Sequence, residues 1–108
     1  MKSKLEFALG IARRAGAVFM GTEIIRDAIR RKKVKLVILA QDASENTKKR
    51  LINSCDFYGV RLFETQLTMD RLSSGVGIGR LTSAVAISGH SVIRLVNDAI
   101  QAEQSEKA

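Results

Sequence analysis

The feature that most constrains this chain is the uninterrupted apolar run Leu36–Ala40, which contains two β-branched residues. A run of this length without alternating polar positions is typical of a strand that is covered on both faces. Ala84–Ile87 is a second run of the same kind. Strands covered on both faces need a packing layer on each side of their sheet, so the sequence predicts a layered α/β fold.

Segments with helical spacing of apolar residues separate the strands. Ser3 and Gly16 bound the first predicted helix. The full predicted order is α-β-α-β-α-β-α-β-α, with strands at Ala17–Met20, Leu36–Ala40, Val60–Phe63 and Ala84–Ile87. We therefore expect a three-layer α-β-α sandwich with a mixed four-stranded sheet.

Several local signals predict where the remaining helices begin and which residues they bury. We expect Thr22 to cap the second helix, Asp42 to form a capping box with Glu45 on the third, and Thr68 to cap a short fourth helix through Leu72. The second helix is expected to bury Ile24, Ile25, Ala28 and Ile29, and the third Leu51, Ile52, Cys55 and Phe57. The glycine-containing segment 73–80 is predicted to be a loop, and Ser91–Ile100 the last helix.

The 108 residues are predicted to form one domain, which covers residues 1–104. The chain is polar from Gln101 onward, and residues 105–108 are predicted to be a frayed tail. No apolar run approaches the roughly 18–20 residues that cross a bilayer. A single cysteine, Cys55, cannot form an internal disulfide, which fits a cytoplasmic protein. We expect a monomer without a membrane partner.

The positive charge is concentrated near the start of the chain. Residues 1–40 hold ten Lys or Arg and three acidic residues, whereas the rest of the chain is balanced, so this part carries the whole formal charge of +7. Arg26, Arg30 and Lys33 are spaced to share one exposed helical stripe, and Arg13 and Arg14 close the first helix. Such a distribution indicates a polyanionic partner; the alternative is a solvated helix face of uneven charge.

Gly75, Gly77 and Gly79 do not form a dinucleotide-binding loop, because they follow a predicted helix and precede a strand, the reverse of what such a loop requires. Two interpretations stay open. The segment is either a flexible loop whose backbone approaches a ligand, with Ile78 exposed at its tip and Arg80 beside it, or a plain turn that needs left-handed residues.

The remaining reactive side chains do not indicate catalysis. Cys55 lies on the apolar side of its helix, and nothing places His90, the only histidine, near it, so a buried structural cysteine is expected. One Cys and one His are too few for a usual metal site. Glu23 and Asp27 are surrounded by arginines, and surface ion pairing, such as Asp27 with Arg31, is expected. We predict no enzyme, no cofactor and no metal.

Four segments together resemble the kink-turn-binding ribosomal protein family of the L7Ae and L30e type, and within it the bacterial YlxQ group. They are Leu9–Gly16, Gly21–Glu23, Val34–Lys49 and Tyr58–Val60. The resemblance covers about residues 3–100. It implies an α-β-α sandwich that binds kink-turn or ribosomal RNA without catalysis.

The resemblance also implies a site. In strong RNA binders of this family the junction before the second helix reads Gly-Thr-Asn-Glu-x-x-Lys. Gly21 and Thr22 match it, whereas Glu23, Ile24 and Asp27 stand at the Asn, Glu and Lys positions. A second contact region lies before the last strand, where an apolar side chain packs on the RNA; Gly77, Ile78, Gly79 and Arg80 fall there.

Two hypotheses follow. In the first, the chain binds RNA between two regions, the start of the second helix (Gly21, Thr22, Glu23 and Arg26) and the loop Gly77–Arg80. Phosphate contacts that do not depend on the RNA sequence come from Arg13, Arg14, Arg30, Lys32 and Lys33. The expected partner is a kink-turn RNA or the ribosome. In the second, the chain is a protein-interaction module that keeps the fold and has lost the RNA contacts, as Ile24 and Asp27 favour.

Overall fold

The computed structural model describes residues 2–107, and the side chains of residues 2–106. Five helices alternate with four strands along the chain. They are α1 (Lys4–Arg14), β1 (Val18–Met20), α2 (Thr22–Arg30), β2 (Leu36–Leu39), α3 (Glu45–Tyr58), β3 (Arg61–Glu64), α4 (Met69–Val76), β4 (Ala84–Ile87) and α5 (His90–Lys107). The predicted order is confirmed.

The sheet has the strand order β1-β4-β2-β3. β4 pairs antiparallel with both β1 and β2, whereas β2 and β3 are parallel, so the predicted mixed four-stranded sheet is confirmed. Every residue of β2 and β4 is buried, as expected for central strands, and β1 and β3 are the partly exposed edge strands.

Two apolar clusters lie on opposite faces of the sheet. Leu36, Ile38, Val85 and Ile87 point to the side of α1, α4 and α5. Val37, Leu39, Ala84 and Ala86 point to the side of α2 and α3. This alternation along each strand places helices on both faces, and the three-layer α-β-α sandwich follows from it.

Two of the predicted helix caps are wrong. Gly21, not Thr22, is the N-cap of α2, and its φ of 91° is a value that side chains disfavour. Ser44, not Asp42, caps α3 by accepting a hydrogen bond from the Thr47 amide at 3.2 Å. The Asp42 carboxylate instead accepts from the Met69 amide at 2.7 Å, which joins the segment after β2 to the start of α4.

The predicted extents of the last two helices are also wrong. The segment Ser73–Val76 belongs to α4, and Gly77 ends that helix with a left-handed φ of 88°. α5 does not end at Ile100 but spans His90–Lys107, while Ala108 lies outside the described residues. The physical reason is Glu103, which is buried and accepts hydrogen bonds from the Thr65 hydroxyl at 2.8 Å and the Gln66 amide at 3.0 Å.

Three apolar side chains that were expected to be buried are exposed. Ile24 is 56% exposed and Phe57 80% exposed, and Ile52 is also at the surface. In each helix the core is already filled by neighbours one turn apart, Ile25 with Ile29 in α2 and Leu51 with Cys55 in α3. Helical spacing alone predicted too wide a buried stripe.

Candidate nucleic-acid interface

The register of the sheet brings the two predicted contact regions to one edge. Met20, at the end of β1, pairs with Val85, near the start of β4. The turn into α2 therefore leaves the sheet beside the segment 77–83 that enters it. Ala40, after β2, donates its amide to the Ser83 carbonyl at 2.9 Å, so the segment after β2 reaches the same edge. We call this edge, formed by residues 21–24, 40–45, 64–68 and 77–83, the loop edge.

The expected contact residues Gly21, Thr22 and Glu23 lie on the loop edge, but Glu23 is not free. Its carboxylate forms ion pairs with Arg26, 3.3 Å away on the same helix, and with Arg50 of α3. Arg26 also donates to the Ser54 hydroxyl at 3.4 Å. A base that hydrogen-bonds to Glu23 must therefore share or displace two guanidinium groups, and Arg50 becomes part of the site.

The glycines before β4 have different structural roles. Gly75 lies inside α4, where a Cβ would come within 3.1–3.2 Å of Glu6 on α1, so it allows two helices to pack closely. Gly77 supplies the left-handed end of α4. Gly79 alone lies in the open part of the loop, with no atom within 4 Å of a Cβ. The left-handed turn expected in this segment is present at Gly77, and a close approach of the loop backbone to a ligand stays a prediction.

The apolar tip of this loop is Leu81 and not Ile78. Ile78 is partly buried and packs against the core cluster of α1, α4 and α5, which corrects the expectation of an exposed tip. Leu81 is 61% exposed beside the exposed Arg80. Sequence reasoning missed Leu81, although one signal was available: it precedes β4 by three residues and so lies outside the strand that would bury it.

The basic residues that were expected to serve this site have different partners. The Arg13 guanidinium donates to the Gly77 carbonyl, which fixes α1 to the start of the loop. Arg30 and Arg31 both pair with Asp27, Arg31 at 3.0 Å, as predicted for that pair. The hydrogen bond from Arg30 and the charges of both arginines hold the pKa of Asp27 below its ordinary value.

Of the remaining predicted cations, Arg14 lies beside the loop edge and the two lysines lie away from it. Arg14 ends α1 next to Arg13, and both line the same hollow as Gly77. α2 ends at Arg30, so Lys33 is outside the helix, and the predicted stripe of Arg26, Arg30 and Lys33 is wrong. Lys32 and Lys33 follow the far end of α2, about 14 Å along its axis from Gly21.

The four segments of the loop edge therefore contribute little positive charge of their own. They contain one basic residue, Arg80, and the four acidic residues Glu23, Asp42, Glu45 and Glu64. Glu64 is paired with Lys48 at 2.9 Å. The positive charge expected from the sequence to support this site lies mostly elsewhere on the molecule.

The other candidate chemistry has a structural explanation. Cys55 is buried, and desolvation, with a smaller contribution from Asp56, raises the pKa of its thiol to about 11. Within residues 2–107, no three His, Cys, Asp or Glu side chains are grouped so as to hold a metal ion. The same part of the chain contains no helix that is long and apolar enough to cross a membrane.

Comparison with known proteins agrees with this architecture. Two curated relatives, each named RNA-binding protein YlxQ, are 45% identical over 56 residues (Enterococcus faecium) and 42% identical over 52 residues (Bacillus subtilis). These matches cover 52% and 48% of this chain, and 54% and 52% of the relatives. The chain thus matches only about half the length of each relative.

Solved structures share the fold over nearly the whole chain. A protein of unknown function from Bacillus halodurans has a TM-score of 0.85 at 26% identity, and the match covers 93% of this chain and 99% of that one. The Giardia lamblia 15.5kD RNA binding protein has a TM-score of 0.76 at 19% identity over 94% and 86% of the two chains, which shows the fold alone. The sequence pattern of the ribosomal protein L7Ae/L30e/S12e/Gadd45 family matches residues 3–95, and the chain therefore belongs to that family.

Proposed function

We propose that this protein binds RNA without catalysis and that the loop edge contacts a kinked RNA, such as a kink-turn or a kinked element of ribosomal RNA. The observation that carries the proposal is the β1–β4 register, which sets the Gly21–Glu23 turn beside the loop that bears Arg80 and Leu81. The names of the YlxQ relatives support RNA as the ligand. A cytoplasmic location and a monomeric state stay predictions.

Each side of this proposed site has a separate physical role. Gly21 has no side chain and leaves the N-terminus of α2 open, so backbone amides there can face a phosphate or a base edge. Leu81 offers an apolar surface for an unstacked base, and Arg80 offers a cation beside it. Glu23 accepts a hydrogen bond from a base edge once its pairing with Arg26 and Arg50 is rearranged.

The test is a gel-shift titration of a kink-turn duplex and a plain duplex of equal length, in about 0.15 M salt, where exposed charges are well screened. We expect preference for the kink-turn, and a loss of that preference in Leu81→Asp. Phe7→Asp is the matched control, because Phe7 on α1 is also 61% exposed but lies outside the loop edge. Equal binding of both duplexes by the unmodified protein would overturn the kink-turn assignment.

One observation favours a second candidate function, a protein-interaction module. The loop edge exposes two large apolar side chains, Ile24 and Leu81, among more acids than bases. Such a surface suits a protein partner that supplies cations around an apolar centre. If Leu81→Asp leaves RNA binding unchanged but abolishes co-purification with ribosomal protein, this candidate replaces the first for the loop edge.

A further inference from the structure

The opposite edge of the sheet is built from the other ends of the strands. Leu36, the first residue of β2, pairs with both Ile87 of β4 and Arg61 of β3. The Ser88 amide donates to the Ala17 carbonyl at 2.9 Å, and the Lys35 amide donates to the Ile87 carbonyl at 3.1 Å. These bonds hold three turns side by side. We call the edge formed by residues 13–17, 31–35, 59–61 and 88–94 the basic edge.

The basic edge contains most of the excess charge of the protein. Its segments include no Asp or Glu, and their basic residues are Arg13, Arg14, Arg31, Lys32, Lys33, Lys35, Arg61 and Arg94. Since neighbouring strands lie about 4.8 Å apart, the turns at Ala17 and Lys35, on either side of β4, are roughly 10 Å apart. The turns that follow α1 and α2, with the cations they carry, therefore lie side by side at this edge.

Helix dipoles explain only part of this surface. Arg13 and Arg14 lie in the last turn of α1, where cations offset the negative helix end. Arg31 is paired with Asp27, and Arg61 donates to Asn97 at 2.6 Å. Lys32, Lys33 and Lys35 lie beyond the helix, and among the described residues their ammonium groups make no ion pair or hydrogen bond. These lysines have no structural role that the fold requires.

Lys32 is also placed at a conformational cost. Its φ of 60° is the only positive φ of a residue other than glycine in the described part of the chain. This position follows the C-cap of α2, where glycine is the usual residue because it adopts the left-handed conformation without strain. Because glycine would remove this strain, the lysine at this position supports a role for its side chain.

The chemistry of the basic edge favours a polyanion over a folded protein partner. Among the described residues, no large apolar side chain is exposed within its four segments, and Tyr58 and Leu95 are exposed only at their borders. Protein interfaces depend on buried apolar or aromatic anchors, whereas phosphate backbones are bound by unpaired cations alone. The loop edge, with its four acids, faces away from Lys32, Lys33 and Lys35, so RNA held there leaves these lysines free.

We propose that the basic edge is a second RNA-binding surface, which holds the phosphate backbone of an RNA segment different from the one at the loop edge. The protein then joins two RNA segments, one recognised by shape and one held by charge. This inference rests on the proposed RNA-binding function and extends it, because the protein then binds two RNA segments at once and not one alone.

The test is a two-colour bridging assay with a kink-turn duplex and a plain duplex that carry different fluorophores. We expect the unmodified protein to form a ternary complex, seen as cross-correlated diffusion. The Lys33→Gln/Lys35→Gln double variant should lose at least three-quarters of this complex and bind the kink-turn within threefold of the unmodified protein. The matched control is Lys4→Gln/Lys49→Gln, which removes the same charge from exposed positions outside both edges and should keep the complex.

The outcomes separate this inference from the proposed function. No ternary complex, or equal effects of the two double variants, overturns the second surface. If the kink-turn is not preferred but plain duplex binding depends on Lys33 and Lys35, the loop-edge assignment fails and the basic edge stands. Displacement of the plain duplex by polyglutamate at the same charge concentration would overturn RNA as the ligand.

Lys32→Gly should weaken duplex binding and raise the melting temperature, a combination that a purely structural lysine would not produce.

Discussion

Single residues in this protein show how charge is partitioned between structure and binding. Glu23 stands in the candidate site but is held by Arg26 and Arg50, so its negative charge is already compensated. Lys32 is the opposite case, because the backbone is strained to hold it and its side chain has no partner among the described residues. The first residue stabilises the α2–α3 pair, and the second contributes charge to the surface.

The stability of the Lys32→Gly variant follows from this strain. Left-handed backbone costs a lysine about 1–2 kcal/mol, part of which the greater unfolded-state freedom of glycine cancels. We expect the free energy of unfolding to rise by roughly 0.5–1 kcal/mol and the melting temperature by roughly 2–5 °C, measured by thermal unfolding monitored by circular dichroism. A lower melting temperature would mean that the lysine side chain makes a stabilising contact.

Cys55 should behave as an inert thiol. Because burial and, to a lesser extent, Asp56 raise its pKa to about 11, only about one thiol in a thousand is ionised at pH 8. We expect an aromatic disulfide reagent to react with the native protein only as fast as the protein unfolds, and to react at once in urea. Rapid labelling of the native protein would contradict the buried position of this cysteine.

At the scale of elements, α1 and α4 are joined by contacts that could not be predicted from the sequence. Gly75 lets the helices approach, and Glu6, which is buried, pairs with Arg71 at 2.6 Å. Desolvation alone would raise the pKa of Glu6, but the Ser3 amide and the Arg71 guanidinium hold it below its ordinary value of 4.5. The ionised carboxylate thus supports the helix start and the helix pair together.

The Arg71→Ala variant should lose stability in a pH-dependent way. Removing the partner of a buried carboxylate costs about 1–2 kcal/mol. Because the folded pKa of Glu6 is depressed, its stabilisation is complete above pH 4.5 and is lost as the pH falls through the folded value. We expect a full difference from the unmodified protein at pH 7 and a smaller one at about pH 3, measured by urea unfolding. Arg94→Ala, an exposed arginine outside any described ion pair, is the control.

The end of α5 depends on one buried side chain. Glu103 accepts hydrogen bonds from Thr65 and from the Gln66 amide. Glu103→Ala leaves both donors without this acceptor, which should lower the free energy of unfolding by roughly 1–3 kcal/mol and speed amide exchange in the last two turns of α5. Gln104→Ala, an exposed neighbour, should change neither quantity. Equal exchange in both variants would show that Glu103 does not hold the helix end.

At the scale of the whole molecule, the sheet separates two surfaces of different character. The loop edge carries Leu81, Arg80 and four acids, and the basic edge carries eight cations and no acid. One edge is suited to recognise shape through apolar and hydrogen-bonding contacts. The other is suited to neutralise phosphates, which is the part of RNA binding that salt weakens.

The two edges should therefore differ in their salt dependence. Lys33→Gln/Lys35→Gln should reduce the slope of log K against log salt for plain duplex binding by about 1–2, since each phosphate contact contributes about 0.7–0.9. Leu81→Ala should weaken kink-turn binding severalfold and leave the slope of that binding unchanged. Filter-binding titrations between about 50 and 200 mM salt measure both slopes. A slope that is unaffected by the lysine pair would remove the basic edge from the binding of RNA.

The fold could be predicted from the sequence because its signals are local. Continuous apolar runs identified β2 and β4, and Ser3 and Thr68 correctly marked the starts of α1 and α4. Predictions failed where a distant residue decides the outcome. Asp42 does not cap α3 because it reaches Met69, and α5 continues beyond Ile100 because Glu103 reaches Thr65.

The sequence by itself determined the layered α/β architecture, the family, and the amount of excess charge, since each depends on residue type and short-range order. Only the tertiary structure decided where that charge lies. Most of the basic residues near the start of the chain lie in the segments 13–14 and 31–35. The strand register places these segments at the edge opposite the Gly21 turn. Strand order and register are long-range pairings, and for this reason one basic region of sequence became a surface separate from the site it was expected to serve.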